Sequence, residues 1–146
     1  MPRPSRHTVL MAVAGTIAQR GTCERAKVGV VIAREGRILV TGYNGAPSGL
    51  PHCDHTAEEI ADPHGHCRIA VHAEANAIAW AARHGVALDG ASLYTTVAPC
   101  LACAQLIVNA GIDEVVWLHS YPNTDGLDLL KLATLRLIPY HELNEA

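Results

Sequence analysis

Two short motifs lying well apart in the chain, His72-Ala73-Glu74 and Pro99-Cys100-Leu101-Ala102-Cys103, constrain the fold more than any other feature. One imidazole and two thiols are good ligands for tetrahedral zinc, and three such ligands leave the fourth position open for a water. The chain must then bring the start of one helix against the start of another. Glu74 is not needed as a ligand and is free to move protons. Zinc lowers the pKa of a coordinated water from about 15.7 towards roughly 7, so this donor set supplies a hydroxide near neutral pH. Taken alone, Cys100 and Cys103 also read as a thioredoxin-type redox pair, and His72 alone as a half-buried structural histidine.

The pattern around these motifs predicts alternating elements. Val9, Leu10, Val13, Ile17 and Ala18 fall near helical spacing, with Ser5 as N-cap and a stop near Gly21. Runs over 28–33 and 38–41, separated by Arg34-Glu35-Gly36-Arg37, predict a hairpin. Residues 42–49, GYNGAPSG, carry too many glycines to continue a strand and read as a shaped loop. Residues 52–67 are the least periodic and are expected to form an irregular insertion. Helices are predicted over 71–82, from Pro99 at the first helical position to 110, and over 126–134; strands are predicted over 92–96, 115–118 and 135–140. Trp80, a large apolar residue on the first of those helices, reads as core, with a bridge to a subunit contact as the other reading.

This order implies an α/β fold with a mixed sheet covered by helices, in one domain over residues 1–146. Both metal motifs then fall at helix starts, where exposed amides favour thiolate over thiol at Cys100 and Cys103. A 49% hydrophobic and 17% charged composition is that of a globular chain. The net charge of -3 argues against a broad basic surface, and two tryptophans, four tyrosines and no phenylalanine make a sparse stacking platform, so nucleic acid is not the expected partner. No run approaches the roughly 18 apolar residues of a membrane span, and the start does not read as a signal peptide. A cytoplasmic location follows as the default, with the five cysteines as metal ligands or free thiols.

From Cys23 to Tyr121 the chain resembles the deoxycytidylate deaminase family of the cytidine deaminase superfamily. The resemblance runs through CERAKVGVVI, TGYNGAPSG, HCD, GHC, HAEANAIAWAAR and LYTTVAPCLAC. The GYNGxPxG loop separates that family from cytidine deaminases and from the transfer-RNA adenosine and guanine deaminases. The resemblance implies a three-layer α/β/α sandwich with a central mixed sheet, a catalytic zinc on His72, Cys100 and Cys103, and Glu74 as the proton shuttle of a hydrolytic deamination.

The resemblance further implies substrate contacts: Arg25, Lys27 and Asn44 at phosphate or sugar, and Asn76 at the sugar hydroxyl or orienting the site. Arg83 stands at a basic position tied to nucleotide handling, Tyr121 packs on the base, and the Ala98 carbonyl accepts from the exocyclic amine. Several members carry a second, structural zinc, implied here on Cys23, Cys53 and Cys67 with His66 as fourth ligand and His64 as its rival. Free buried thiols are the other reading. A homo-oligomer, often a hexamer, activated by deoxycytidine triphosphate and inhibited by thymidine triphosphate, is implied as well. The expected reaction is deoxycytidylate to deoxyuridylate and ammonia, feeding thymidylate synthesis.

Two departures, Arg68-Ile69-Ala70-Val71 where relatives have Arg-Thr and Ala98 where Ser is common, leave open a modified pyrimidine nucleotide or a triphosphate. The rival readings are a deaminase of nucleoside, free base or nucleic acid, and a zinc-binding or redox module without activity.

Overall fold

The computed structural model describes residues 2–23, 26–53 and 67–143. The first helix, α1 (Arg6–Ala18), starts where expected, because the Ser5 hydroxyl accepts from the Thr8 amide at 3.1 Å. Its buried face differs from the expected stripe. Leu10, Met11, Ala14 and Ala18 turn inward, while Val9 is 46% exposed. The reason is a close approach: a Cβ on Gly29 would stand 2.0 Å from the Ala14 carbonyl oxygen. Only the small-residue side of α1 fits there.

The hairpin is present as β1 (Gly29–Arg34) and β2 (Arg37–Tyr43). Glu35 and Gly36 both take positive φ, 55° and 78°, as a two-residue turn matched to strand twist requires. Strand β2 runs on through Gly42 and Tyr43, which the sequence assigns to a loop. The loop proper starts at Asn44 and is then fastened by Gly45, whose amide and carbonyl pair with Val71 at 3.1 and 2.8 Å.

The remaining elements are α2 (Ala73–His84), β3 (Ser92–Val97), α3 (Leu101–Asn109), β4 (Glu114–His119), α4 (Asp125–Leu132) and β5 (Arg136–Pro139), with a 3-10 turn over Tyr140–Leu143. The last helix and strand are shorter than predicted: Thr134 takes a φ of 63°, which ends helical geometry. The five strands lie in the order β2-β1-β3-β4-β5. Strand β1 is antiparallel to both neighbours, and β3, β4 and β5 are parallel. The sheet is therefore mixed.

Alternation along the strands divides the core in two. Val30, Ile32, Leu93 and Val115 face α2, α3 and α4, against Ala77, Ile107 and Leu130. Val31, Ala33, Tyr94 and Val116 face Leu10, Met11 and Ala14 of α1. The fold is thus a three-layer α/β/α sandwich. Helix α2 lies on the sheet through Ala73, Ala77 and Ala81, and that small stripe turns Trp80 outward. Trp80 is 55% exposed and stacked on His84, ring centroids 4.0 Å apart, so it is not core. Among the described residues no helix is long and apolar enough to cross a membrane.

Candidate functional site

Both metal motifs sit at helix starts on one end of the sheet, beyond the carboxyl end of β3, where open α/β sheets hold ligands. Helix α2 begins at Ala73, two residues later than predicted, because Val71 is held by its bridge to Gly45 and His72 is extended, with φ -64° and ψ 151°. His72 is the N-cap yet makes no side-chain capping bond, which leaves its ring for other partners. At the other start, Cys100 is the N-cap and its sulfur accepts from the Cys103 amide at 3.5 Å. Pro99 therefore precedes the cap instead of occupying the first helical position.

This arrangement brings His72 Nδ1 to 3.4 Å from both Cys100 Sγ and Cys103 Sγ. Zinc bond lengths of about 2.3 Å to sulfur and 2.0–2.1 Å to nitrogen place tetrahedral ligand atoms roughly 3.5–3.8 Å apart, so the donor set and its spacing fit zinc. His72 is exposed, Cys100 half-buried and Cys103 buried, an asymmetry that leaves one side of the cluster open. The contact with Cys103, then His72 and the Cys103 amide, draws the Cys100 thiol down to about 4. Cys103, buried beside the Cys100 sulfur, is raised and holds its proton, and His72 is raised first by its contact with Cys100. Protons on these groups are what a metal displaces on binding.

Glu74 lies on the first turn of α2 and is 4% exposed. Burial raises its carboxyl above the usual range, partly offset by its own backbone amide and by His72. Its Oε1 accepts from the Thr95 hydroxyl at 3.4 Å. Beside this group opens a cavity of about 350 Å³ with a largely apolar wall.

The structure sorts the other expected residues. Asn44, Ala98 and Tyr121 line the cavity. Asn44 is committed to its own chain: its Oδ1 accepts from the Val28 amide at 2.8 Å and its Nδ2 donates to the Ala26 carbonyl at 2.7 Å. It thereby shapes the 26–28 segment that forms part of the wall. The Ala98 amide donates to His119 O at 2.8 Å. The Tyr121 phenol is raised by burial first and then by the charges of Cys100, Cys103 and Glu74, which places it near the cluster.

Asn76 does not line the cavity. Its Nδ2 donates to Tyr43 O at 2.8 Å and Val71 O at 3.5 Å, tying α2 to β2. Arg83 is exposed in the last turn of α2, which leads away from the cavity, roughly 16 Å of helix from His72. It does not line this cavity. Lys27 is exposed between the lining residues Ala26 and Val28. Arg25 lies outside the described residues.

Cys23, Cys53 and Cys67 form a second cluster, their sulfurs all within 4.8 Å of one another. Burial, then the neighbouring Cys23 and Cys67, pushes the Cys53 thiol up to about 12. Cys67 is lowered despite burial by amides of Ala70 and Ile69, the former at 3.3 Å. Three thiols converging without a disulfide fit a soft or borderline metal such as zinc. Both expected fourth ligands, His66 and His64, lie outside the described residues, as does most of the 52–67 insertion. Cys23 and Cys67 also line the cavity. Thr95 was missed: it is one of several hydroxyl residues on β3, and nothing in its type sets it apart from Ser92 or Thr96.

Residues 4–119 match the family described as the cytidine and deoxycytidylate deaminase zinc-binding region. The chain belongs to that family. It is 40% identical to the deoxycytidylate deaminase of Mycobacterium phage D29 over 80% of this chain and 97% of that one. It is 39% identical to the human deoxycytidylate deaminase over 84% of this chain and 70% of that one. Among solved structures it is similar to the cyanophage S-TIM5 dCMP deaminase in complex with dCMP and dUMP, with a TM-score of 0.81 and 31% identity over 94% of this chain and 98% of that one.

Proposed function

We propose that this chain is a zinc-dependent deoxycytidylate deaminase, acting as one domain over residues 1–146. The reading is carried by one observation: a buried Glu74 stands two residues from His72, whose ring nitrogen lies 3.4 Å from two cysteine sulfurs. Family membership and the phage, human and cyanophage relatives support the substrate. His72, Cys100 and Cys103 hold the catalytic zinc. Bound there, zinc makes water a competent nucleophile near neutral pH. Water adds at carbon 4 of the pyrimidine and the amine leaves as ammonia, giving deoxyuridylate.

Glu74 takes a proton from the water, passes it to ring nitrogen 3, and then helps protonate the departing amine. Its burial suits a group that must both hold and release a proton. Tyr121 packs on the base, the Ala98 carbonyl accepts from the amine, and Arg25 and Lys27 meet the phosphate. Asn44 shapes the cavity wall, and Asn76 orients α2. Cys23, Cys53 and Cys67, with His66 or His64, hold a second, structural zinc. The enzyme is cytoplasmic and homo-oligomeric, a hexamer, is activated by deoxycytidine triphosphate and inhibited by thymidine triphosphate, and its product feeds thymidylate synthesis.

The test is steady-state ammonia release from deoxycytidylate, cytidine, cytosine and deoxycytidine triphosphate, with zinc measured on the same sample and added effectors in a second series. Efficient release from deoxycytidylate by zinc-loaded protein is expected. Preference for any of the other three substrates would overturn the assignment.

A further inference from the structure

We propose that Thr95 is a positioning residue for this reaction, fixing the Glu74 carboxylate relative to the strand end that leads into the Cys100-Cys103 arm. The inference rests on the proton-shuttle reading of Glu74. Thr95 is fully buried in the central strand β3, opposite Val30 on β1 and Trp117 on β4. Its side chain shares a face with Leu93, which packs in an apolar core with Val30, Ile32 and Val115. A valine has the same branched shape and is what this face uses elsewhere. A hydroxyl buried here costs stability unless it is bonded, so the threonine needs a polar reason.

Its Oγ1 carries one proton and meets two acceptors, so it donates to one of them at a time. It lies 2.7 Å from the Val97 carbonyl oxygen, with the Val97 amide donating to it at 3.3 Å, and 3.4 Å from Glu74 Oε1. The first contact closes the end of β3, three residues before Cys100. The second reaches α2, on the other half of the metal motif. One hydroxyl thus links the carboxylate that carries protons to the backbone that delivers the thiols. Without Thr95 this contact is lost, and a carboxylate on a flexible stem spends less time in the productive geometry.

The experiment measures kcat and KM for deoxycytidylate, zinc content and Tm in the zinc-loaded full chain for Thr95→Val, Thr95→Ser and Thr95→Ala. In Thr95→Val, kcat falls by roughly tenfold or more while KM stays within about twofold and zinc is retained, as removal of a bond to a charged group used in the chemical step predicts. Thr95→Ser, which keeps the hydroxyl, holds kcat within about threefold. Wild-type kcat in Thr95→Val, or equal impairment in Thr95→Ser, overturns the proposal. If Thr95→Val does not fold, Thr95→Ala and Thr95→Ser pose the same question, and equal kcat in those two overturns it. A Glu74→Gln control separates the layers: normal Thr95→Val beside an inactive Glu74→Gln removes the positioning role alone, whereas an active Glu74→Gln removes the shuttle reading and this role with it.

Discussion

The two sulfur-rich clusters share a donor chemistry and differ in what carries the donors. His72, Cys100 and Cys103 stand at the starts of α2 and α3, each fixed by a strand, bridge or cap within a few residues. Cys23, Cys53 and Cys67 stand on three connecting segments outside the helices and strands. A site built on helix ends is held to the tolerance that chemistry needs, and one exposed ligand leaves it an open side. A cluster built on loops is positioned by its own contents. If it holds a metal, that metal is what fastens the three segments together. The first cluster is thus read as catalytic and the second as a fastener, and each can be tested by removing a single donor.

The largest effect is expected in the first cluster. Cys100→Ala or His72→Ala removes one of three protein ligands and should abolish both zinc at that site and deaminase activity, as measured by metal analysis beside ammonia release. A metallated, active Cys100→Ala would mean that the two clusters are not divided in this way. Glu74→Gln comes next. The amide cannot carry the proton, so turnover should fall by about 10²–10⁴-fold while zinc stays bound. Zinc loss in that variant would make Glu74 a ligand and not a shuttle.

Legibility in the sequence follows the same division. The donor motifs could be read because tetrahedral zinc fixes residue types, and the helix starts and stops because Ser5 and Gly85 act within one turn of the chain. What could not be read depends on the partner element. Val9 looks as apolar as Leu10, but the tight seat of Ala14 on Gly29 decides which faces inward. Trp80 is outside because three alanines seat α2, and Arg83 is remote because the helix axis leads away from the cavity. Thr95 meets a carboxylate on α2, a contact between distant elements that residue type alone does not announce.

A smaller effect is expected where the loop cluster adjoins the cavity. Arg25 follows Cys23 by two residues, and Cys23 lines the cavity. If Arg25 meets the substrate phosphate, Arg25→Ala loses a charge-assisted hydrogen bond worth about 1.5–3 kcal/mol, or roughly ten- to a hundredfold in kcat/KM for deoxycytidylate. The weak rate on deoxycytidine should hardly change. Equal losses on both substrates would move Arg25 from phosphate recognition to support of the fold, and equal efficiency of the wild type on both would remove nucleotide recognition altogether.

The smallest effect on catalysis, and the one that most directly separates the clusters, is expected for Cys53→Ser. Cys53 is buried against Cys23 and Cys67 but, unlike them, does not line the cavity. Its loss should therefore remove the second zinc and leave the geometry at Glu74 intact, with kcat within about twofold of wild type. Stability should suffer instead, because a metal bound only by the folded chain contributes its binding energy to folding. A cost of about 3 kcal/mol corresponds to a fall in Tm on the order of 6–12 °C for a chain of this size. Zinc per chain should drop from two to one in the same samples, a ratio read by metal analysis. One zinc per chain in wild type, unchanged in Cys53→Ser, would return the three thiols to plain core residues. A large loss of kcat with Tm unchanged would instead make this cluster part of the catalytic apparatus, and the contrast between a fixed and a fastened site would fail.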